Sequence, residues 1–336
     1  MRAVWIVRWG GPEVLEVREG PEPEPGPGEV RVRVRAAGVN FADVMARLGL
    51  YPDAPRPPLV AGYEVAGVVE AAGEGAGLAP GTRVLGLTRF GGQAEAVAVP
   101  AGQVVEMPEG MGFEEGAALP VNYLTAWQAL FGVGTLRPGR SVLVHMAAGG
   151  VGTAALQLAR TVPGVTVLGT ASAAKHEALR AEGCDHPIDP RATDWEAEVR
   201  RLTGGRGVDL VLDPLGEWRK GYRLLAPSGL LVAYGFANLA TGERRNLARV
   251  LPRLLAVPRF SPLALMDDNR GVAGLNLGRL WGEVDRLREG LLGLVDLWRR
   301  GAVRPRVDSA IPFARAGDAH RRLQGRGNVG KVVLVP

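Results

Sequence analysis

From Met1 to about Val99 the apolar positions follow a two-residue period. Val30, Val32 and Val34 alternate with Arg31, Arg33 and Arg35, which predicts a strand with one buried face. The stretch Pro21-Glu22-Pro23-Glu24-Pro25-Gly26-Pro27-Gly28 ahead of it is dense in turn residues. Further apolar runs at Glu64–Glu70 and at Arg83–Leu87, the latter introduced by Pro80-Gly81, extend the pattern to a compact antiparallel barrel with irregular loops and few helices.

Between about Leu119 and Leu277 the period changes. Apolar runs rich in β-branched residues at Ser141–His145, Val165–Thr170, Val208–Leu212 and Gly229–Tyr234 are separated by stretches with helical spacing. Val151, Ala154, Ala155, Leu158 and Ala159 form one such helical face. Strands alternating with helices predict a doubly wound parallel sheet. Val272–Leu277 reads as its last edge strand, Trp281–Arg300 as a helix ended by Gly301, and Val332–Val335 as a terminal strand.

Composition narrows the class. With 336 residues, 46% apolar and 22% charged, the chain is expected to form one large or two ordinary domains. The net charge of +5 is spread among mixed acidic and basic residues, which argues against nucleic acid as a partner. One cysteine, Cys184, with four histidines supports neither a disulfide nor a thiolate zinc site. Arg2 and Arg8 flank a start too short for a signal-peptide core, and no apolar run reaches the ~20 residues of a membrane span. A cytoplasmic protein with no integral membrane segment is expected.

The densest chemical signal is Ser141-Val142-Leu143-Val144-His145-Met146 followed by Ala147-Ala148-Gly149-Gly150-Val151-Gly152. Strand, glycine turn and helix occur in the order of a dinucleotide site. Gly149 lets backbone approach a pyrophosphate, Gly152 allows close packing of helix on strand, and the helix start offers N–H groups to phosphate. Ala147 stands where the usual fingerprint has its first glycine.

Cofactor choice is read at the end of the next strand. An NAD site places an acidic residue there, whereas this chain has Thr170-Ala171-Ser172-Ala173-Ala174-Lys175. Ser172 can donate to a 2′-phosphate and Lys175 adds positive charge, so NADPH is the expected cofactor. Lys175 is one of only three lysines, with Lys220 and Lys331. Three more segments should meet the cofactor at the carboxyl ends of strands: Asp213-Pro214-Leu215-Gly216, Tyr234-Gly235-Phe236 and Asn328-Val329-Gly330-Lys331. Asp213 admits two roles, a catalytic acid or a carboxylate fixing a turn, and the following Pro-Leu-Gly favours the turn.

In the first region the informative residues are Ala37-Gly38-Val39-Asn40-Phe41-Ala42-Asp43, Gly49-Leu50-Tyr51-Pro52 and Ala61-Gly62-Tyr63-Glu64-Val65-Ala66-Gly67. With His145–Gly152, Thr170–Glu177 and Asn328–Lys331, they make the chain resemble, from end to end, the zinc-independent quinone oxidoreductase branch of the medium-chain dehydrogenase/reductase superfamily, closest to its vesicle amine transport protein homologues. That resemblance implies an α/β protein with a GroES-like antiparallel barrel built from 1–118 and 278–336, and a Rossmann domain at 119–277. It implies an active site in the cleft and a homodimer through the edge strand. It also implies that Asn40, Tyr51 and Thr125 line the nicotinamide side, that Gly149, Gly150 and Val151 contact phosphates, and that Ser172 and Lys175 hold the 2′-phosphate.

Zinc-dependent relatives resemble this chain but carry Cys where Val39-Asn40 stands, and Gly-His-Glu where Gly62-Tyr63-Glu64 stands. No metal is expected, since a catalytic zinc needs about three such ligands. The expected activity is therefore NADPH-dependent reduction of a quinone or an α,β-unsaturated carbonyl. Asn40 would orient the carbonyl, Tyr51 would donate or relay a proton, and Asp43 would fix the Asn40 loop; the bland alternatives are a turn residue, a wall and a helix cap. Two rival readings are a dinucleotide-binding protein with weak turnover that acts on a membrane or partner, and a zinc-independent alcohol dehydrogenase. The Arg-rich stretch Glu243–Arg259 reads as a lid or surface helix rather than a membrane-lying one, because Pro252 and Pro258 should interrupt a long helix.

Overall fold

The strand Glu29–Val39 is the spine of the first half of the molecule. It pairs antiparallel with Glu64–Ala72, with Ala96–Pro100 and with the terminal strand Lys331–Val335. The computed structural model describes residues 1–240 and 242–336, in two compact units. One comprises Met1–Leu124, Ala240–Asn246 and Leu277–Pro336, the other Thr125–Leu239 and Leu247–Asn276.

In the first unit the sheet runs Val307–Pro312, Lys331–Val335, Glu29–Val39, Glu64–Ala72, Arg83–Leu87, Val104–Glu106. The alternation read from the chain has its cause here. Val30, Val32 and Val34 pack with Val65, Val69, Val84, Val97 and Val99, while Arg31 and Arg33 on the other face pair with Glu70. A smaller sheet joins Leu15–Glu19, Arg2–Ile6 and Leu59–Val60. One short helix, Phe41–Arg47, follows the spine directly.

The second unit holds a six-stranded sheet in the order His186–Ile188, Thr166–Thr170, Ser141–Val144, Val208–Asp213, Leu225–Ala233, Gly271–Gly274. Every neighbouring pair is parallel. Numbered along the chain this is the order 3-2-1-4-5-6 of a doubly wound dinucleotide fold, and the fold class is the expected one. The strand expected at Gly229–Tyr234 begins earlier, at Leu225, and the one expected at Val272–Leu277 is confined to Gly271–Gly274.

Pro252 does not interrupt the Arg-rich segment. It lies inside a helix spanning Leu247–Leu255. The helix is exposed on nearly every side, with only Val250 buried, so water can satisfy the carbonyl that a proline leaves without its N–H partner. Among the described residues no helix is long and apolar enough to cross a membrane.

Candidate active site

In the first unit, polar groups converge where the spine strand ends. The terminal strand pairs Val332 with Val39, which brings Lys331 beside Asn40 although they are 291 positions apart in the chain. Lys331 Nζ lies 2.5 Å from Glu64 Oε1 and 2.6 Å from Asn40 Oδ1. Glu64 Oε1 also accepts from Asn40 Nδ2 at 2.9 Å, and its Oε2 accepts the Val121 N–H at 2.7 Å. Lys331 and Glu64 are 3% and 0% exposed and Asn40 is 8% exposed, so the pair and its hydrogen bonds form in a water-poor setting where unpaired charge is costly. Glycine at position 38 makes room for it, since a Cβ there would fall on the Glu64 carboxylate, with Cδ at 2.6 Å.

Asp43 organises the same loop from the other side. Its Oδ2 accepts the Asn40 N–H at 2.7 Å and its Oδ1 the Gly62 N–H at 3.0 Å. Burial pushes its carboxyl up to about 7 despite those two bonds. Gly62 has φ +106°, a left-handed value that suits glycine. Tyr51 is half-buried and packs edge-on to Tyr63 at 6.1 Å between ring centroids. Burial, reinforced by Asp53 and Asp43, pushes its phenol up to about 12, so it stays protonated at neutral pH.

This cluster does not suit zinc. Among the described residues no group of three or more His, Cys, Asp or Glu could hold a metal ion. The ammonium of Lys331 already occupies the Glu64 carboxylate, and a fixed cation beside that oxygen repels a second one.

In the second unit the strand Ser141–Val144 leads through Met146, which adopts a left-handed φ of 53°, into the helix Gly150–Arg160. Gly149 caps this helix without any side-chain bond, which leaves the first-turn N–H groups to a ligand. A Cβ at Gly152 would fall on the Met146 carbonyl and lie 2.6 Å from Ala147 Cα, so glycine there is a packing requirement. The turn is held to its neighbour by Ala147 N–H donating to the Thr170 carbonyl at 3.0 Å and Met146 N–H donating to Thr170 Oγ1 at 3.2 Å.

That neighbour strand, Thr166–Thr170, pairs in register with Ser141–Val144, so Ser172 and Lys175 follow at the same edge of the sheet. Both are partly exposed. One residue escaped sequence reading: Asp189, whose Oδ2 accepts the Ala173 N–H at 2.9 Å and whose Oδ1 accepts the Arg191 N–H at 2.9 Å. These backbone bonds lower its pKa. Its position after the next strand, in Ile188-Asp189-Pro190, was the available signal, because strand ends in a parallel sheet gather at one edge.

The other expected residues fall as follows. Asp213 Oδ1 accepts the Leu215 and Gly216 N–H groups at 2.6 and 3.1 Å, which is the turn role. Tyr234-Gly235-Phe236 follows the strand Leu225–Ala233, and the Phe236 ring packs on Trp218 at 4.8 Å. Thr125 is buried in the helix Pro120–Trp127. Asn328 is buried and donates through Nδ2 to the Gly330 carbonyl at 2.7 Å. A cavity of about 230 Å³ lined by Arg137, Arg140 and Asp209 lies at the opposite, amino ends of the strands and touches none of these residues.

Residues 26–109 match the alcohol dehydrogenase GroES-like domain, and residues 182–334 match the zinc-binding dehydrogenase family. The chain is 51% identical over 304 residues to the synaptic vesicle membrane protein VAT-1 homolog of Mus musculus, over 90% of this chain and 75% of that protein. The crystal structure of human synaptic vesicle membrane protein VAT-1 homolog-like protein superposes with a TM-score of 0.87 at 38% identity, covering 100% of this chain and 98% of that one. Escherichia coli quinone oxidoreductase complexed with NADPH gives a TM-score of 0.88 at 28% identity over 100% of both chains.

Proposed function

Because the chain belongs to the medium-chain dehydrogenase/reductase superfamily as an oxidoreductase, we propose that it is a metal-free, NADPH-dependent reductase of quinones or α,β-unsaturated carbonyls. The observation that carries this reading is the glycine turn Ala147–Gly152 beside a loop that offers Ser172 and Lys175. Asp189, which the next strand brings to that loop, is engaged by backbone N–H groups. In this reading Gly149, Gly150 and Val151 receive the pyrophosphate on backbone N–H groups, with Gly152 letting the helix sit close. Ser172 donates to the 2′-phosphate and Lys175 neutralises it. Thr125, Tyr234, Gly235, Phe236 and Asn328 complete the walls.

A bound reduced nicotinamide supplies the hydride. In this reading Asn40 orients the acceptor carbonyl, and Tyr51 is the protonated group that donates or relays a proton to the reduced oxygen. An acceptor already poor in electrons needs no Lewis acid, which accords with the lysine at Glu64. A second copy would add to the sheet at its open edge, Gly271–Gly274.

Following NADPH consumption with a small quinone and with an enal tests the proposal. Turnover of at least one, unaffected by a chelator, is expected. Tight NADPH binding without turnover of either, or turnover of simple alcohols with NADP⁺ in place of these acceptors, with or without a chelator, overturns it.

A further inference from the structure

Asn40 sits between two partners that leave its amide no choice of orientation. Lysine only donates hydrogen bonds and a carboxylate only accepts them. Lys331 Nζ approaches Asn40 Oδ1 at 2.6 Å, and Glu64 Oε1 receives Asn40 Nδ2 at 2.9 Å. A flipped amide would set N–H against ammonium and carbonyl against carboxylate, two repulsive contacts among groups that are almost fully buried. The Asn40 oxygen is thus consumed inside the cluster. Of its two amide N–H bonds one goes to Glu64, and the other has no partner among the described residues.

From this we infer that Lys331 is a positioning residue: its ion pair with Glu64 makes Asn40 a pure hydrogen-bond donor toward the reaction site, and so selects an acceptor with a bare carbonyl oxygen. The inference rests on the reductase reading above and deepens it. A donor aimed at that oxygen is better matched as negative charge grows there during hydride delivery than in the neutral carbonyl. The arrangement favours a quinone or enone, whose carbonyl oxygen takes up the negative charge as hydride reaches carbon.

The rest of the cluster fixes the pair. Val121 N–H holds the second Glu64 oxygen at 2.7 Å, Asn122 Oδ1 lies 3.4 Å from Lys331 Nζ, and the Asp43 carboxyl holds the Asn40 backbone at 2.7 Å. Asp43, Glu64 and Lys331 are the titratable groups of the cluster, and only the lysine carries positive charge.

Two readouts test the assignment. In the cofactor-free protein labelled with ¹⁵N-asparagine, the Asn40 side-chain amide should give one N–H protected from solvent exchange, identified by its loss in Asn40→Asp. Lys331→Arg should keep that protection; Lys331→Gln, which can either donate or accept, should lose it. In kinetics, Lys331→Gln should lower kcat about 10-fold or more with NADPH affinity unchanged, and Lys331→Arg should restore a large part. Lys331→Met paired with Glu64→Gln removes both charges together, avoiding an orphaned carboxylate, and should behave as Lys331→Gln does. Unchanged amide protection and unchanged kcat in Lys331→Gln overturn the inference, as does a loss confined to NADPH affinity. Failure of the wild type to reduce any acceptor removes the reductase reading, while the amide signal still reports on the orientation of Asn40.

Discussion

Asp43 Oδ1 accepts the Gly62 N–H at 3.0 Å, so a single buried carboxyl ties the start of the helix Phe41–Arg47 to the segment that carries Glu64. Burial raises this carboxyl from its ordinary 3.8 to about 7. A raised acid contributes stability that is fully present below the unfolded pKa, near 3.8, and is lost as pH rises through the folded value, near 7. The thermal midpoint of the wild type should therefore decline between about pH 4 and pH 7 relative to Asp43→Asn, which does not titrate, and level off above that range. The variant itself should be less stable by about 1–3 kcal/mol, because its amide turns one N–H toward a backbone donor. Parallel pH profiles for the two proteins contradict the assignment.

Gly152 and Gly149 should separate packing from binding. A Cβ at Gly152 collides with backbone of Met146 and Ala147, whereas one at Gly149 meets only the Met146 carbonyl at 3.2 Å. Gly152→Ala is expected to lower the thermal midpoint, with a cost of about 1–3 kcal/mol or more. Gly149→Ala should leave the midpoint near that of the wild type and weaken NADPH, measured by calorimetric titration.

Lys175→Ala tests the choice of cofactor. Loss of a charge-assisted contact to phosphate costs about 1.5–3 kcal/mol, so NADPH affinity should fall by roughly 10-fold to 100-fold. NADH affinity should change little. Equal losses for the two cofactors remove Lys175 from the 2′-phosphate.

Arg47 offers a stability test far from this chemistry. It is fully buried, and its guanidinium donates to the Gly10 carbonyl at 2.6 Å, the Glu243 carbonyl at 3.1 Å and Gln324 Oε1 at 2.5 Å. His320 Nδ1 lies 3.3 Å from its Nε, and burial lowers that imidazole to about 3, so it remains neutral and does not repel the arginine. A planar fork reaches acceptors spread over several sides, which the compact ammonium of a lysine does not span. Arg47→Lys and Arg47→Met should both lower the denaturation midpoint, by about 3 kcal/mol or more for methionine, with buried carbonyls left unpaired. A change below about 1 kcal/mol for either variant runs against this role.

Local patterns were legible in the chain because their causes are local. Val30, Val32 and Val34 announce a strand since alternate side chains share a face, and Gly152 in the run Gly149-Gly150-Val151-Gly152 announces a tight entry into a helix because a Cβ there would fall on backbone. The partnership of Lys331 with Glu64 and Asn40 was not legible. It arises only when the terminal strand lies beside Glu29–Val39, and along the chain Lys331 stands out only as one of three lysines. Asp189 was missed for the same reason, being brought to the Ser172 loop by strand pairing. Pro252 shows the opposite failure: the expected helix break did not occur, because the helix lies open to water.

The most direct test of NADPH-dependent reduction uses NADPH with both C4 hydrogens replaced by deuterium and an enone acceptor, with the product analysed by mass spectrometry. One deuterium at the carbon β to the carbonyl, present with or without a chelator, is the expected result. Reduced product without label, or reduction of neither the enone nor a small quinone by a protein that binds NADPH, contradicts hydride transfer by this chain.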